Sequence, residues 1–466
     1  MSHLGPDMDS ATQRARVIIS APESSPLKSL LRTSLPAVVD LASQTIMWTV
    51  ESILIGKISA EAFGGVGMAL QVIILCITVL ITFVVGSSLI ITRHLGAGDK
   101  REANHILGQA MMLGVVMACL LAVFWYFGAT NILKLIKEEG GAEAERAGVI
   151  YLKTLAMFAP FIITNFIAVG IVRGAGDTHF SMLINLSVNG LNLIMAPILI
   201  FGLFGLPRLE VRGAALAAGI CHTLGFCGTL YLLRSHKSVL FLCFHEMARP
   251  NFQTFRRLFN AGLPTTIEQL VWALGQLVVS GYVARLGVEL LAAHQVFLRI
   301  QAILSMLYMG FGMGAMTLMG KNLGAAKRRL AQHTAEISSW VMFGCVMVVV
   351  VILGGFSRQI MYIFTRDPEV VHIGAFVMKV FALAQIPKAV DSALIGNLRG
   401  AGDLRWLMWT TIASAFLLEI GFNWFVAFVF EWSLVGLWFT QLLDETSRLA
   451  INYWRFKGGK WKFLHV

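Results

Sequence analysis

Twelve stretches of this chain are each long and apolar enough to cross a lipid bilayer, and that repetition constrains its fold more than any other feature. A spanning helix needs about 20 apolar residues. Runs of that kind lie near 33–57, 62–92, 104–130, 148–172, 179–205, 212–233, 254–284, 289–320, 330–356, 370–398, 404–430 and 433–454. They are unbroken, whereas barrel strands are about ten residues long and alternate in polarity. The fold class is therefore an all-α membrane protein with twelve transmembrane helices. Composition agrees: of 466 residues 57% are hydrophobic and 14% charged, against about 25% charged in an ordinary soluble domain. Too few charges are present to cover a water-facing surface.

The formal net charge of +11 orients the helices. With the N-terminus set inside and loops assigned alternately, 23 lysines and arginines fall on the inner side and 9 on the outer. That is the positive-inside pattern, and it implies no nucleic-acid partner. Both termini are expected in the cytoplasm, with the chain multi-pass in the cell (inner) membrane. Residues 1–30 carry no apolar core of signal-peptide length and read as a cytoplasmic tail. Cys76, Cys119, Cys221, Cys227, Cys243 and Cys345 lie in or beside apolar runs without paired spacing. They read as buried thiols, not as disulfides or a metal site, and no cofactor is expected.

The sequence is duplicated. Leu35-Pro36 reads as the opening of the first helix and Leu263-Pro264 as that of the seventh, a shift of 228 residues (36 to 264). At the same shift Asp40 faces Glu268, Glu61 faces Glu289, and His94-Leu95-Gly96-Ala97 faces Asn322-Leu323-Gly324-Ala325. Arg173-Gly174-Ala175-Gly176-Asp177 matches Arg399-Gly400-Ala401-Gly402-Asp403 at a shift of 226. Six helices per half give both halves the same sense, so a pseudo-two-fold along the membrane normal is expected, with a substrate site between the repeats. The organisation expected is a tail at 1–30, six-helix bundles at 31–233 and 254–455, a cytoplasmic connector at 234–253, and a tail at 456–466.

These features resemble the multidrug and toxic-compound extrusion (MATE) family of cation-coupled exporters. The resemblance covers about 28–455. It rests on the Leu-Pro pair of each half, Glu51-Ser-Ile-Leu-Ile-Gly56, the paired Leu-Gly-Ala and Arg-Gly-Ala-Gly-Asp motifs, and Asp367-Pro368-Glu369. It implies two bundles around a cavity that opens alternately to each side, and a coupling acid in the first helix, where Glu51 stands. Asn192 keeps the asparagine found in the fifth helix of many members, while Ala196 and Ala218 stand where aspartate and threonine are frequent.

Ionisable residues at membrane depth are costly and usually face a cavity or a partner. Asp40, Gln44 and Glu51 fall on one helical stripe about 16 Å long, which suits a water-filled cavity better than lipid. Glu51 is the foremost coupling candidate: it can carry a proton, or bind sodium with Asn192, as the cavity switches sides. The plainer reading is a fixed partner or a place near the outer surface. Asp40 and Glu268 either line the inner cavity mouth or sit favourably near helix N-termini. Asp391 lies in a region where some family members place a cation-binding acid, and the rival is a structural pair with Lys388 three residues away. Glu419 is a further deep acid. Gln44, Trp48, Asn189, Glu268 and Trp272 are candidates for the substrate cavity.

The Gly-Ala-Gly-Asp elements read as tight turns, with the aspartate capping the next helix. The rival, an intramembrane aspartyl protease, needs a second aspartate after tyrosine, and no tyrosine here precedes aspartate. No Walker, H-E-x-x-H or G-x-S-x-G motif is present, which argues against an ATP-driven pump or a hydrolase. The expected function is export of organic, cationic or amphipathic compounds in exchange for protons or sodium. The runner-up is a flippase of lipid-linked or polysaccharide precursors. No protein partner is implied.

Overall fold

The computed structural model describes residues 25–136, 141–235, 237–247 and 249–464. Most of the expected N-terminal tail, with Arg14 and Arg16, lies outside the described residues, as do Lys137 and the last two residues.

Unit 1 contains α1 (Pro26–Gly56, from Val39 onward), α2 (Ala60–Gly96), α3 (Lys100–Ile136), α4 (Ala142–Ala156), α5 (Ala159–Gly174), α6 (Thr178–Phe201), α7 (Glu210–Arg234) and the single turn α8 (Phe244–Met247). Unit 2 contains α9 (Phe252–Leu286, from Ala261), α10 (Val288–Gly324), α11 (Arg328–Gly355), the short α12 (Ser357–Phe364) and α13 (Pro368–Gly400). It continues through α14 (Leu404–Ser414), a π-helical turn at Ala415–Phe422, α15 (Asn423–Phe428) and α16 (Ser433–Lys457). Among the described residues ten helices are apolar and long enough to span, and the bent pair α4–α5, taken as one span, makes an eleventh. The twelfth is α16, 25 residues long, whose apolar run is interrupted by Asp444, Glu445 and Arg448.

The two Leu-Pro pairs do not open helices. α1 begins at Pro26 and α9 at Phe252, with Pro36 and Pro264 inside them. Proline is tolerated within spanning helices because neighbouring groups satisfy the freed carbonyl. Asp40 and Glu268 consequently lie about four turns into their helices, far from the N-terminal dipole. The run expected at 148–172 is not one rod but two, bent by 68° between α4 and α5. Pro160 occupies the first turn of α5, where its missing N–H costs nothing.

Leu-Gly-Ala and Gly-Ala-Gly-Asp prove to be the same turn, used four times. In each, an amide bonds back five residues: Asp99 to His94, Asp177 to Val172, Lys327 to Asn322 and Asp403 to Leu398, at 2.8–3.1 Å. One residue in each turn takes a positive φ: Gly98 (+82°), Gly176 (+90°), Ala326 (+59°) and Gly402 (+85°). This is the glycine-favoured helix stop. Asp99 Oδ1 accepts the Glu102 amide at 3.1 Å and caps α3, but Asp177 and Asp403 do not cap the helices that follow them. Asp177 instead accepts from Ser238 Oγ (2.8 Å) and the Val239 amide (3.2 Å), and Asp403 pairs with Arg455 at 2.7 Å.

Helices associate here by close van der Waals approach, since lipid offers no hydrophobic drive between them. In unit 1 a Cβ on Gly65 would strike the Ala144 carbonyl and one on Gly148 would strike Gly65. In unit 2 a Cβ on Gly396 would strike the Gly312 carbonyl, and one on Gly400 that of Met316. Residues Ser25–Val38 pack with unit 2, where Leu30 joins Tyr308, Phe311 and Met342 in a buried cluster. A second cluster stacks Phe297 on Phe381 (5.4 Å) and sets Trp438 edge-on to Phe381 (4.9 Å).

The connector after α7 is stitched to α3. Gln109 Nε2 donates to the carbonyls of Glu246 (2.6 Å) and Arg249 (2.8 Å), and its Oε1 accepts the Asn251 amide (2.8 Å). His105 Nδ1 meets Glu246 Oε2 at 2.5 Å.

Candidate functional site

In unit 1 a polar seam joins α1 to α6. Asp40 is buried and accepts from Ser181 Oγ (2.6 Å) and Asn185 Nδ2 (2.7 Å), with Arg173 Nε at 3.3 Å. One turn along, Asn189 Nδ2 donates to Ser43 Oγ at 2.9 Å. Asn192 continues the line, buried, with its Nδ2 making no hydrogen bond. Ser181, Asn185 and Asn189 recur every four residues, so all three lie on the face of α6 that meets α1. Gln44 is half-buried on α1.

Glu51 stands apart from that seam. It is half-buried, and Tyr151 of α4 donates to its Oε1 at 3.2 Å. Among the described residues no ion pair engages it, and no hydrogen bond joins it to Asn192. The stripe of Asp40, Gln44 and Glu51 thus divides into a closed end at Asp40 and an end at Glu51 held by one neutral hydroxyl.

Unit 2 repeats the acid–arginine contact: Arg399 Nη2 lies 2.6 Å from Glu268 Oε1. The arginines of the two Arg-Gly-Ala-Gly-Asp motifs thus reach to the first helix of each repeat. Around this pair lies a buried charged network. Asp391 and Lys388 do not neutralise each other. Lys388 Nζ lies 2.8 Å from Glu445, while Asp391 accepts from Asn452 (2.9 Å) and faces Arg448 at 3.9 Å. α16 packs along α13 and supplies both sets of partners, which displaces the pairing within one helix. Asp444 accepts from Ser414 Oγ, and Glu419 from Gln276 Nε2 at 3.4 Å. Trp48 and Trp272 are 49% and 38% exposed on their own units. Among the described residues no group of three or more His, Cys, Asp or Glu side chains is placed to hold a metal ion.

The sequence reading missed Ser43, Tyr151, Ser181 and Asn185, and in α16 Asp444, Glu445, Arg448 and Asn452. The four-residue spacing on α6 was one available signal. Charges at 444, 445 and 448 inside an otherwise apolar run were another.

Comparison with known proteins agrees with this architecture. The MatE family model matches residues 36–198 and again 264–425, each match starting at a helix proline. The chain belongs to the MatE family. Among relatives of this MatE protein, a multidrug resistance protein NorM of Thermotoga maritima is 26% identical over 438 residues, covering 93% of each chain. The multidrug resistance protein PmpM of Pseudomonas aeruginosa is 26% identical over 394 residues, 83% of this chain and 81% of its own. A solved MATE structure in a bent conformation superposes with a TM-score of 0.86 at 19% identity, covering 97% of this chain and 98% of that one. This MatE protein is accordingly a multi-pass membrane transporter and not an enzyme, with twelve helices in two six-helix bundles.

Proposed function

We propose that the chain is a secondary-active antiporter that exports organic, cationic or amphipathic compounds in exchange for protons or sodium ions, with Glu51 as the coupling carboxylate. The observation that carries this is the setting of Glu51. An acid within a spanning helix is rarely without a role, and this one meets a neutral hydroxyl, Tyr151, with no cation paired to it among the described residues. Its charge can therefore change without stranding a buried partner. Asp40 and Asp391 are already engaged by arginine and amide donors, and in this reading they hold helices together. Asn192, with its unengaged buried amide, and Asn189, Gln44 and Trp48 are the candidate contacts for cation and substrate in unit 1, and Trp272 is one in unit 2; Glu268, held by Arg399, joins the acids that hold helices together. The substrate class follows the relatives, named for multidrug resistance. The basic-residue asymmetry favours the inner membrane with both termini cytoplasmic.

The test is efflux of a fluorescent lipophilic cation from proteoliposomes under separately imposed proton and sodium gradients. One gradient drives efflux by the parent protein, and Glu51→Gln, inserted at the same level, loses the gradient-driven component. Equal transport by the variant overturns the assignment.

A further inference from the structure

Five carboxylates and three cations interact within the buried network of unit 2. Glu268, Asp391, Glu419, Asp444 and Glu445 are each at most 5% exposed. Against them stand Arg399 on Glu268, Lys388 on Glu445, and Arg448, which faces Glu445, Asp391, Asp444 and Glu268. Two negative charges are left over if all are ionised. The contacts say where the surplus lies. Glu268, Asp391 and Glu445 each have a cation within 4 Å. Glu419 and Asp444 have none among the described residues and are held by the neutral donors Gln276 and Ser414. Their second oxygens, Glu419 Oε2 and Asp444 Oδ2, are buried without any hydrogen bond.

The backbone is shaped for Glu419. It sits on the π-helical turn, and such turns are frequent at functional sites. Two carbonyls of this turn take side-chain donors: that of Glu419 from Asn423 Nδ2 (3.0 Å) and that of Ile420 from the Tyr282 hydroxyl (3.4 Å). On α9, Gly275 leaves room for Glu419 Oε2, which a Cβ there would strike. An uncompensated carboxylate at membrane depth is strongly disfavoured, yet two are accommodated here by local structure.

We infer that Glu419 and Asp444 form a cation-loading site in unit 2 that takes up small monovalent cations, H⁺ or Na⁺. The groups facing it are Glu445 and Arg448 of α16 and Lys388 of α13, with Asp391 and Glu268 beyond Arg448, and Tyr308 of α10 beyond Glu445. The ligands are whatever supplies the two missing positive charges: a proton on each of the free oxygens, or sodium in place of a proton. The site stands independently of the role given to Glu51.

The experiment is a pH titration of the purified full-length protein, following the infrared carbonyl band of protonated buried carboxyls, in choline chloride and in sodium chloride. In choline chloride the parent loses such a band as pH rises. Glu419→Gln and Asp444→Asn each remove part of it, and Glu51→Gln retains that part. If sodium chloride removes the band at constant pH, sodium competes for the site; if it does not, the ligand is the proton. Thermal unfolding supplies a second readout. Glu445→Gln strands Lys388 and lowers the melting temperature, whereas Asp444→Asn replaces an acid that has no cation partner by a neutral amide and leaves it nearly unchanged. Identical titrations of the parent and the Glu419→Gln/Asp444→Asn double variant in both salts overturn the inference. So does an Asp444→Asn melting temperature as low as that of Glu445→Gln.

Discussion

Arg399 Nη2 lies 2.6 Å from Glu268 Oε1, and the other half of the sequence repeats the contact with Arg173 and Asp40 at 3.3 Å. The duplicated Arg-Gly-Ala-Gly-Asp motif therefore does two things. Its glycines stop a helix, and its arginine, one turn earlier, secures the acid of the first helix in the same repeat.

Removing one member of such a pair leaves a buried charge alone, which costs about 3–5 kcal/mol. Glu268→Ala should lower stability by about 3 kcal/mol, at the low end because Arg399 is 22% exposed. The Glu268→Met/Arg399→Met double variant should recover most of that loss. Thermal unfolding of the four proteins in a double-mutant cycle checks it.

Ala326 occupies the left-handed position that glycine fills in the three sister turns. A Cβ there costs about 1–2 kcal/mol. Ala326→Gly should raise stability by about 1 kcal/mol, and Gly402→Ala should lower it by a similar amount, both read from unfolding midpoints.

Tyr151 donates to Glu51 and has no other side-chain hydrogen bond among the described contacts. Tyr151→Phe keeps the ring and removes the donor. Gradient-driven efflux should fall several-fold, less than in Glu51→Gln, with little change in melting temperature. Equal losses in both variants would mean that the tyrosine does more than orient the acid.

The connector clasp should depend on pH. The His105 hydrogen bond, reinforced by the charges of His105, His245 and Arg101, holds the Glu246 carboxyl below its ordinary value. A depressed carboxyl stabilises the fold above its unfolded value of about 4.3 and loses that contribution as pH falls through the folded value. Hydrogen-exchange protection factors, corrected for the intrinsic pH dependence of exchange, should hold from pH 7 to about 5 at residues 237–247 and fall below about 4. Glu246→Gln should flatten the profile.

Apolar run lengths sufficed to place all twelve helices, because spanning a bilayer leaves a one-dimensional signature. Helix starts were less legible. Pro36 and Pro264 look like openings only under the rules for water, and the bend before Pro160 depends on packing that no single run encodes. Within the site, Asp40, Glu51, Asn189 and Asn192 stood out because polar groups are rare in such helices. Their partners did not. Arg173 and Arg399 stand more than 130 positions along the chain from the acids they meet, Asp40 and Glu268, and no local pattern ties them together. Lys388 and Asp391 are close in sequence, but their partners lie on α16, more than fifty positions away.

Gly396 and Gly400 press α13 against the carbonyls of Gly312 and Met316 on α10, one turn apart. With only hydrogen atoms between two main chains, neither rod can slip along or roll over the other without a collision. The pair should behave mechanically as one strut. Any rearrangement inside unit 2 then falls to the segments around it, above all the loosely wound turn at Ala415–Phe422 that carries Glu419.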